Sequence, residues 1–197
     1  ITWNLSKEVV LGEGPFPLEI SADSGLLVNV DVLGGPGKIV DGKLEVQGAV
    51  TIYLTAVQNG NDEFAPAPNE ERQVEVKLRP QISQTGEGLL MREPAGEILS
   101  NGQLLSITAI PGDGYLFSGW AGDVSSKSNP LSLVVTNNVQ IQAMFTQPWT
   151  LSLSNTLGGS VISEPATNQV KNGDPVTVIA LPLEGYGFRG WKGSFET

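Results

Sequence analysis

Four side-chain groupings in this chain could do chemistry. Asp62-Glu63 and Glu70-Glu71 are paired carboxylates, the residue type that glycoside hydrolysis uses as acid and as base or nucleophile. Both pairs are adjacent in sequence and fall in stretches that read as exposed loop or strand edge, so a solvated acidic surface is expected and no catalytic residue is assigned. The run NGNDEF over 59–64 concentrates oxygen ligands as calcium loops do, but it lacks the alternating acid pattern and terminal glutamate of such a loop. A polar loop around Asn59-Gly60 is expected, with no metal site. A spontaneous lysine–asparagine cross-link needs a buried lysine beside a carboxylic acid. Lys7, Lys38, Lys43 and Lys77 read instead as edge or exposed residues whose stems lie along the surface. The fourth grouping is aromatic: GYLFSGWAGD at 114–123 and GYGFRGWKGS at 185–194. Tyr, Phe and Trp at this spacing could stack on sugars, or they could form the core of a small domain.

Composition narrows the chemistry. The 197 residues contain no cysteine and no histidine, which excludes disulfides, thiolate metal sites and the commonest general base. Eleven basic against 21 acidic residues give a net charge of −10, which opposes nucleic acid and anionic membranes as partners. No stretch approaches the roughly 20 apolar residues of a membrane helix. With 24 glycines and 13 prolines and no collagen-like period, a turn-rich β protein is expected. The chain opens on Ile1-Thr2-Trp3, already strand-like, and is expected to be an excised or processed piece of a longer one.

The aromatic motif belongs to a larger repeat. Tyr115 and Tyr186 stand 71 positions apart, and the same offset pairs Glu93-Pro94-Ala95 with Glu164-Pro165-Ala166, Asn101-Gly102 with Asn172-Gly173, and Gly119-Trp120 with Gly190-Trp191. No gap is needed, so the repeat is true and internal. The chain stops at Thr197, before any counterpart of residues 129–145.

Period-2 alternation predicts the strands. In LLSITAI (104–110), Leu105, Ile107 and Ala109 share a face, and Val176, Val178 and Ala180 match them. LSLVV (131–135), the turn Thr136-Asn137-Asn138 and VQIQAMF (139–145) read as a hairpin with Val139, Ile141, Ala143 and Phe145 inward. Tyr115 and Phe117 share the inward face, and the residues between them drift between copies. Small domains need aromatic burial, so core is favoured over a sugar platform. Trp120 then has the wrong parity, which predicts a backbone irregularity at Gly119 that swings the indole inward. Trp149, outside the motif, is expected to wedge the two copies together.

Residues 1–78 do not share the repeat. Strands are expected at 16–22, 26–33, 38–40, 43–46, 50–57 and 72–78, with turns at Asp23-Ser24-Gly25 and Asp41-Gly42. Ile52, Leu54 and Ala56 should face inward. Short strands without a helix point to a β-sandwich. The connection Leu78-Arg79-Pro80 is so short that the units on either side should abut.

The pattern EP…NG…LSITAIPGDGYLFSGWAGD…NPLSLVVTNNVQIQAMF resembles the divergent internalin-type B repeat of bacterial surface and secreted proteins. The stretch from Pro15 to Pro68, ending GNDEFAPAP, is similar to a bacterial immunoglobulin-like domain. These resemblances imply an all-β, mainly β chain: an Ig-like β-sandwich over 1–78, a complete β-rich, β-grasp-like B repeat over 79–147, and a truncated second B repeat over 148–197 with unpaired sheet edges. They imply a non-catalytic stalk, spacer or adhesive segment of a large multidomain protein, extracellular or on the bacterial cell surface. No catalytic, cofactor-binding or metal-binding residue follows from them, and no cofactor. The expected partners are neighbouring domains of the same polypeptide and a host or environmental glycan or protein, with no nucleic acid and no membrane insertion. The alternative is a carbohydrate-binding accessory module of a polysaccharide-degrading enzyme; a hydrolase fragment with its site elsewhere ranks third.

Overall fold

The computed structural model describes residues 1–171 and 173–193 and is all-β, with no helix among the described residues. Asn172 and Ser194, both part of the repeated motif, lie outside the described residues.

The first unit has nine short strands: β1 (Thr2–Trp3), β2 (Glu8–Val10), β3 (Phe16–Pro17), β4 (Ile20–Ser21), β5 (Asn29–Gly34), β6 (Gly37–Val40), β7 (Lys43–Val46), β8 (Ile52–Val57) and β9 (Glu70–Leu78). One sheet joins β5, β8 and β9, with β2 parallel to β9; another joins β3, β7 and β6, and β1 pairs with β4. Their inward residues meet in one core that includes Val9, Leu44, Ile52, Leu54, Val74 and Val76. Alternation in β8 places Ile52, Leu54 and Ala56 at full burial while Tyr53 stays half exposed, as expected. β6 and β7 are joined by Asp41-Gly42, both at positive φ (49° and 71°). That is the two-residue turn whose twist suits a hairpin.

The complete repeat contains β10 (Gln81–Thr85), β11 (Gly88–Glu93), β12 (Leu99–Ser100), β13 (Gln103–Pro111), β14 (Leu116–Gly122), β15 (Leu131–Val135) and β16 (Gln140–Thr146). Two three-stranded sheets, β10–β16–β14 and β11–β13–β15, enclose a core of Leu105, Ile107, Trp120, Val135, Ile141 and Phe145 among others. The first and last strands, β10 and β16, lie side by side in parallel, which is the β-grasp-like element of the unit. One expectation needs correction. β15 and β16 are not a hairpin: β15 pairs with β13, and β16 with β10 and β14. Residues 136–139 arch from one sheet to the other. Both strands have an apolar inward face, and a short turn serves an arch as readily as a ladder; only the available strand partners distinguish the two.

The seam between the units is closed in three ways. β9 runs on past β8, so that Lys77 pairs with Val10 on one edge and with Ser100 of β12 on the other. Leu78, the last residue of β9, is fully buried in the core of the repeat, and Leu11 and Ala49 pack against that same core. Asn138, in the arch, accepts from Arg79 N (2.8 Å) and donates to Leu11 O (2.9 Å), and Arg79 is ion-paired with Glu13.

The second copy repeats the geometry of the first. Its strands are β17 (Trp149–Thr150), β18 (Gly159–Glu164), β19 (Gln169–Val170) and β20 (Thr177–Pro182). β18 pairs with β20 from Gly159↔Pro182 to Glu164↔Thr177, which is the β11–β13 register moved by 71 residues throughout. Trp149↔Val170 likewise reproduces Leu78↔Leu99. Residues 152–156, the counterparts of β10, are not a strand. β10 pairs only with β16, and the sequence given holds no counterpart of β16.

Candidate functional site

The paired carboxylates remain where sequence placed them. Glu70 and Glu71 open β9 as exposed neighbours, and Asp62 and Glu63 are exposed in the loop between β8 and β9. In that loop the Asn61 side-chain oxygen accepts from Glu63 N (3.0 Å) and Phe64 N (2.9 Å). It is engaged in an Asx-type turn, not directed outward as a cation ligand. The loop is closed by Gln58, 3% exposed, whose side-chain and backbone oxygens both accept from Ala67 N. A cleft of about 380 Å³ lies over the seam between the units. Its two carboxylates are engaged: Glu13 by Arg79, and Asp123 Oδ2 by Gln140 N at 2.8 Å.

Of the four lysines read as exposed or at an edge, Lys77 is corrected. Its side chain is 15% exposed, and Nζ lies 2.7 Å from Glu75 Oε1, 3.3 Å from Glu8 Oε1 and 3.0 Å from Ser100 Oγ. Alternation put it on the outer face of β9, but strands on both edges crowd that position. The hydrogen bond from Lys77 holds the Glu75 carboxyl below the usual range against opposing desolvation, with help from the lysine's charge and from Ser100. The bond to Glu75, again against desolvation, raises the Lys77 ammonium, and Glu8 adds to it. A lowered carboxyl contributes stability that is present above its unfolded pKa and lost as pH falls through its folded one. A raised ammonium contributes stability that is lost as pH rises through its folded pKa. Stability is therefore expected to decline below about pH 4.3. In Glu75→Gln that acid limb should be shallower, by less than about 1 kcal/mol because the carboxylate is half exposed. Urea midpoints measured across the acid range check this; an unchanged acid limb would remove Glu75 from the account.

The aromatic motif is settled by a bulge. β14 pairs with β16 as Phe117↔Phe145 and then Gly119↔Met144, so Ser118 is the extra residue. Gly119 takes φ +150°, and a Cβ there would meet Ser126 O at 3.1 Å. The shift returns Trp120 to the inner face at 1% exposure, with its ring 5.2 Å from that of Phe117 in an edge arrangement. Phe117 in turn sits 6.2 Å from Phe145. Tyr115 and Phe117 are half-buried against this core. The indole N–H donates to Ser128 O (2.8 Å), and Trp120 N donates to Ser126 O (2.7 Å), so Ser126 and Ser128 satisfy the backbone and ring N–H groups of the buried residue. Trp120 is thus a core residue, with no face presented to a sugar.

Sequence reasoning gave no role to Asn129. Its Nδ2 donates to Ala109 O (2.7 Å) and its Oδ1 accepts from Ala109 N (2.9 Å). The side-chain amide thereby stands in for a strand, bonding β13 just past the point where β15 ends. Asn129→Ala leaves both backbone groups of a buried residue unpaired, at roughly 1–3 kcal/mol. A fall of that size in urea stability is expected, whereas a change within experimental error would show that water replaces the amide.

In the second copy the same aromatics lie open: Tyr186 is 60%, Phe188 52% and Trp191 49% exposed. Phe188 and Trp191 still touch, at 4.9 Å, and Gly190 keeps φ +148°. The local bend is written in the motif, whereas burial needs the strand that β16 supplies in the first copy. Trp149 does not wedge the copies together as expected. It is 60% exposed, whereas Leu78, which holds the same position in the complete repeat, is fully buried. The contact between copies comes instead from Lys171 Nζ, which donates to Phe117 O at 2.6 Å.

Fold and site define a class: an all-β protein of tandem repeats whose aromatic motif builds the core of the complete repeat. Residues 81–148 and 149–197 match the divergent InlB B-repeat domain, and the chain belongs to that family. Domains of this kind occur in bacterial surface and secreted proteins. Comparison with curated proteins found no significant match, and neither did comparison with solved structures.

Proposed function

We propose that this chain is a non-catalytic stalk, spacer or adhesive segment of a larger bacterial cell-surface or secreted protein, acting outside the cell. The observation that carries the reading is the seam between the first unit and the complete repeat, where β12 adds to β9 and Leu78 of β9 is buried in the core of the repeat. An added strand and a shared buried leucine restrict swinging between units, as a stiff, extended array requires. An acidic surface keeps such an array soluble. For residues 1–78 an immunoglobulin-like sandwich is the reading supported by two sheets of short strands facing across Leu44, Ile52, Leu54 and Val74. Small-angle X-ray scattering on the whole chain tests the array: an elongated particle whose dimensions do not change with salt is expected. A distribution of shapes that widens with salt would overturn it.

A further inference from the structure

The two outer faces of the complete repeat differ in kind. On the sheet β10–β16–β14 the outward positions are mostly polar, Gln81, Ser83, Thr85, Gln140, Gln142 and Thr146, and the apolar Leu116 and Met144 among them are half-buried. On the sheet β11–β13–β15 the outward residues Leu89, Met91, Leu104, Ile110 and Val134 are each 41% to 59% exposed. Register gathers them: Leu89 lies opposite Ile110, and Leu104 opposite Val134. Five large hydrophobic residues on one sheet face are not the scattered singles of an ordinary surface. The second copy keeps part of the pattern: Ile162 and Leu181, 42% and 44% exposed, stand at the positions of Met91 and Ile110, while Ser160 and Pro175 replace Leu89 and Leu104. On this outer face the one charged residue among the strand positions is an acid in both copies, Glu93 and Glu164.

We propose that this sheet face is a docking surface for a protein partner that presents aliphatic side chains, with a basic residue seated against Glu93 in one repeat and Glu164 in the next. The charge chooses the occupant. A second copy of the chain would set acid against acid and bring together two chains of net charge −10, and an anionic membrane meets the same repulsion. Three strands about 4.8 Å apart and six residues long give a face of about 280 Å². A stable interface covers about 800 Å² on each side. One repeat is therefore expected to bind weakly, and affinity should grow with the number of repeats engaged. The inference goes beyond the stalk reading and does not depend on it, since a stiff array without this partner would still be a stalk.

The test uses the whole chain and three synthetic peptides of equal length that alternate valine with lysine, valine with glutamate, and serine with lysine. Fluorescence anisotropy should show binding of the valine–lysine peptide and at least about tenfold weaker binding of the other two, a gap of about 1.4 kcal/mol. The double variant Met91→Gln, Ile110→Thr should weaken the valine–lysine peptide at least about tenfold with its near-ultraviolet circular dichroism unchanged. Should that variant misfold, Glu93→Gln with Glu164→Gln alters charge alone and should weaken binding while flattening its salt dependence. Equal binding of the valine–glutamate or serine–lysine peptide overturns the proposal, as does no binding of the valine–lysine peptide. A dimer in sedimentation velocity that the Met91/Ile110 variant dissolves also overturns it, by showing that a second copy covers the face.

Discussion

Trp120→Ala is expected to unfold the complete repeat, or to bring it close to unfolding. The indole is 1% exposed, packs edge-on against Phe117 and is hydrogen-bonded to Ser128 O. Truncation removes the largest fully buried side chain of the chain, leaves a cavity beneath the bulge and strips Ser128 O of its donor. Phe or Trp to Ala in a core costs about 3–5 kcal/mol, against a total of about 5–15 kcal/mol for an ordinary domain. A unit of about 68 residues sits toward the low end of that range. Urea unfolding followed by near-ultraviolet circular dichroism should show the loss. The matched change Trp191→Ala, at a half-exposed ring, should fall within about 0.5 kcal/mol of the parent. If the two variants lose equal stability, Trp120 is not the keystone of this core. The comparison is informative because motif and local bend are shared by both copies, leaving the covering strand as the difference.

Leu78→Ala carries the second largest effect and reports on the seam. Leu78 ends β9, a strand of the first unit, yet it is fully buried among Leu99, Leu105 and their neighbours in the repeat. It also pairs with Leu99 through the backbone. Removing three carbons from such a site costs about 2–5 kcal/mol, and the cost falls on the contact that joins the two units as well as on the repeat itself. The parent should unfold with its two units coupled. In Leu78→Ala the repeat should melt first, as a separate transition seen by Trp120 while the strands of the first unit stay protected from hydrogen exchange. A variant whose two units still unfold together, at a lower midpoint, would show that Arg79, Glu13 and Asn138 carry the coupling without Leu78.

Much of the architecture was legible because it is local. Alternation in 52–57 and 104–110 assigned the buried faces of β8 and β13 correctly, since successive side chains must point to opposite sides of a strand. The Asp41-Gly42 turn followed from backbone chemistry. The parity of Trp120, read against Tyr115 and Phe117, located the bulge at Gly119. The offset of 71 anticipated strand register as well as motif: β18–β20 copies β11–β13 pair for pair.

What escaped sequence reading depends on choices among distant partners. Residues 131–145 look the same whether their two strands pair or arch between sheets, and competition with β13, β14 and β10 decides for the arch. Lys77 follows an exposed pattern in its own strand, but β2 and β12 arrive from elsewhere and enclose it. Asn129 carries no signal in its own neighbourhood; its role appears only where Ala109, twenty positions away, offers an N–H and a C=O to its side-chain amide. Sequence by itself determined the β class, the repeat, the inward faces and the bend at Gly119, all set by interactions within a few residues. Only tertiary structure decided whether an aromatic at the end of that bend is buried: Trp120 is covered where β16 runs alongside, and Trp191, in the same local conformation, stays open because burial requires a second surface.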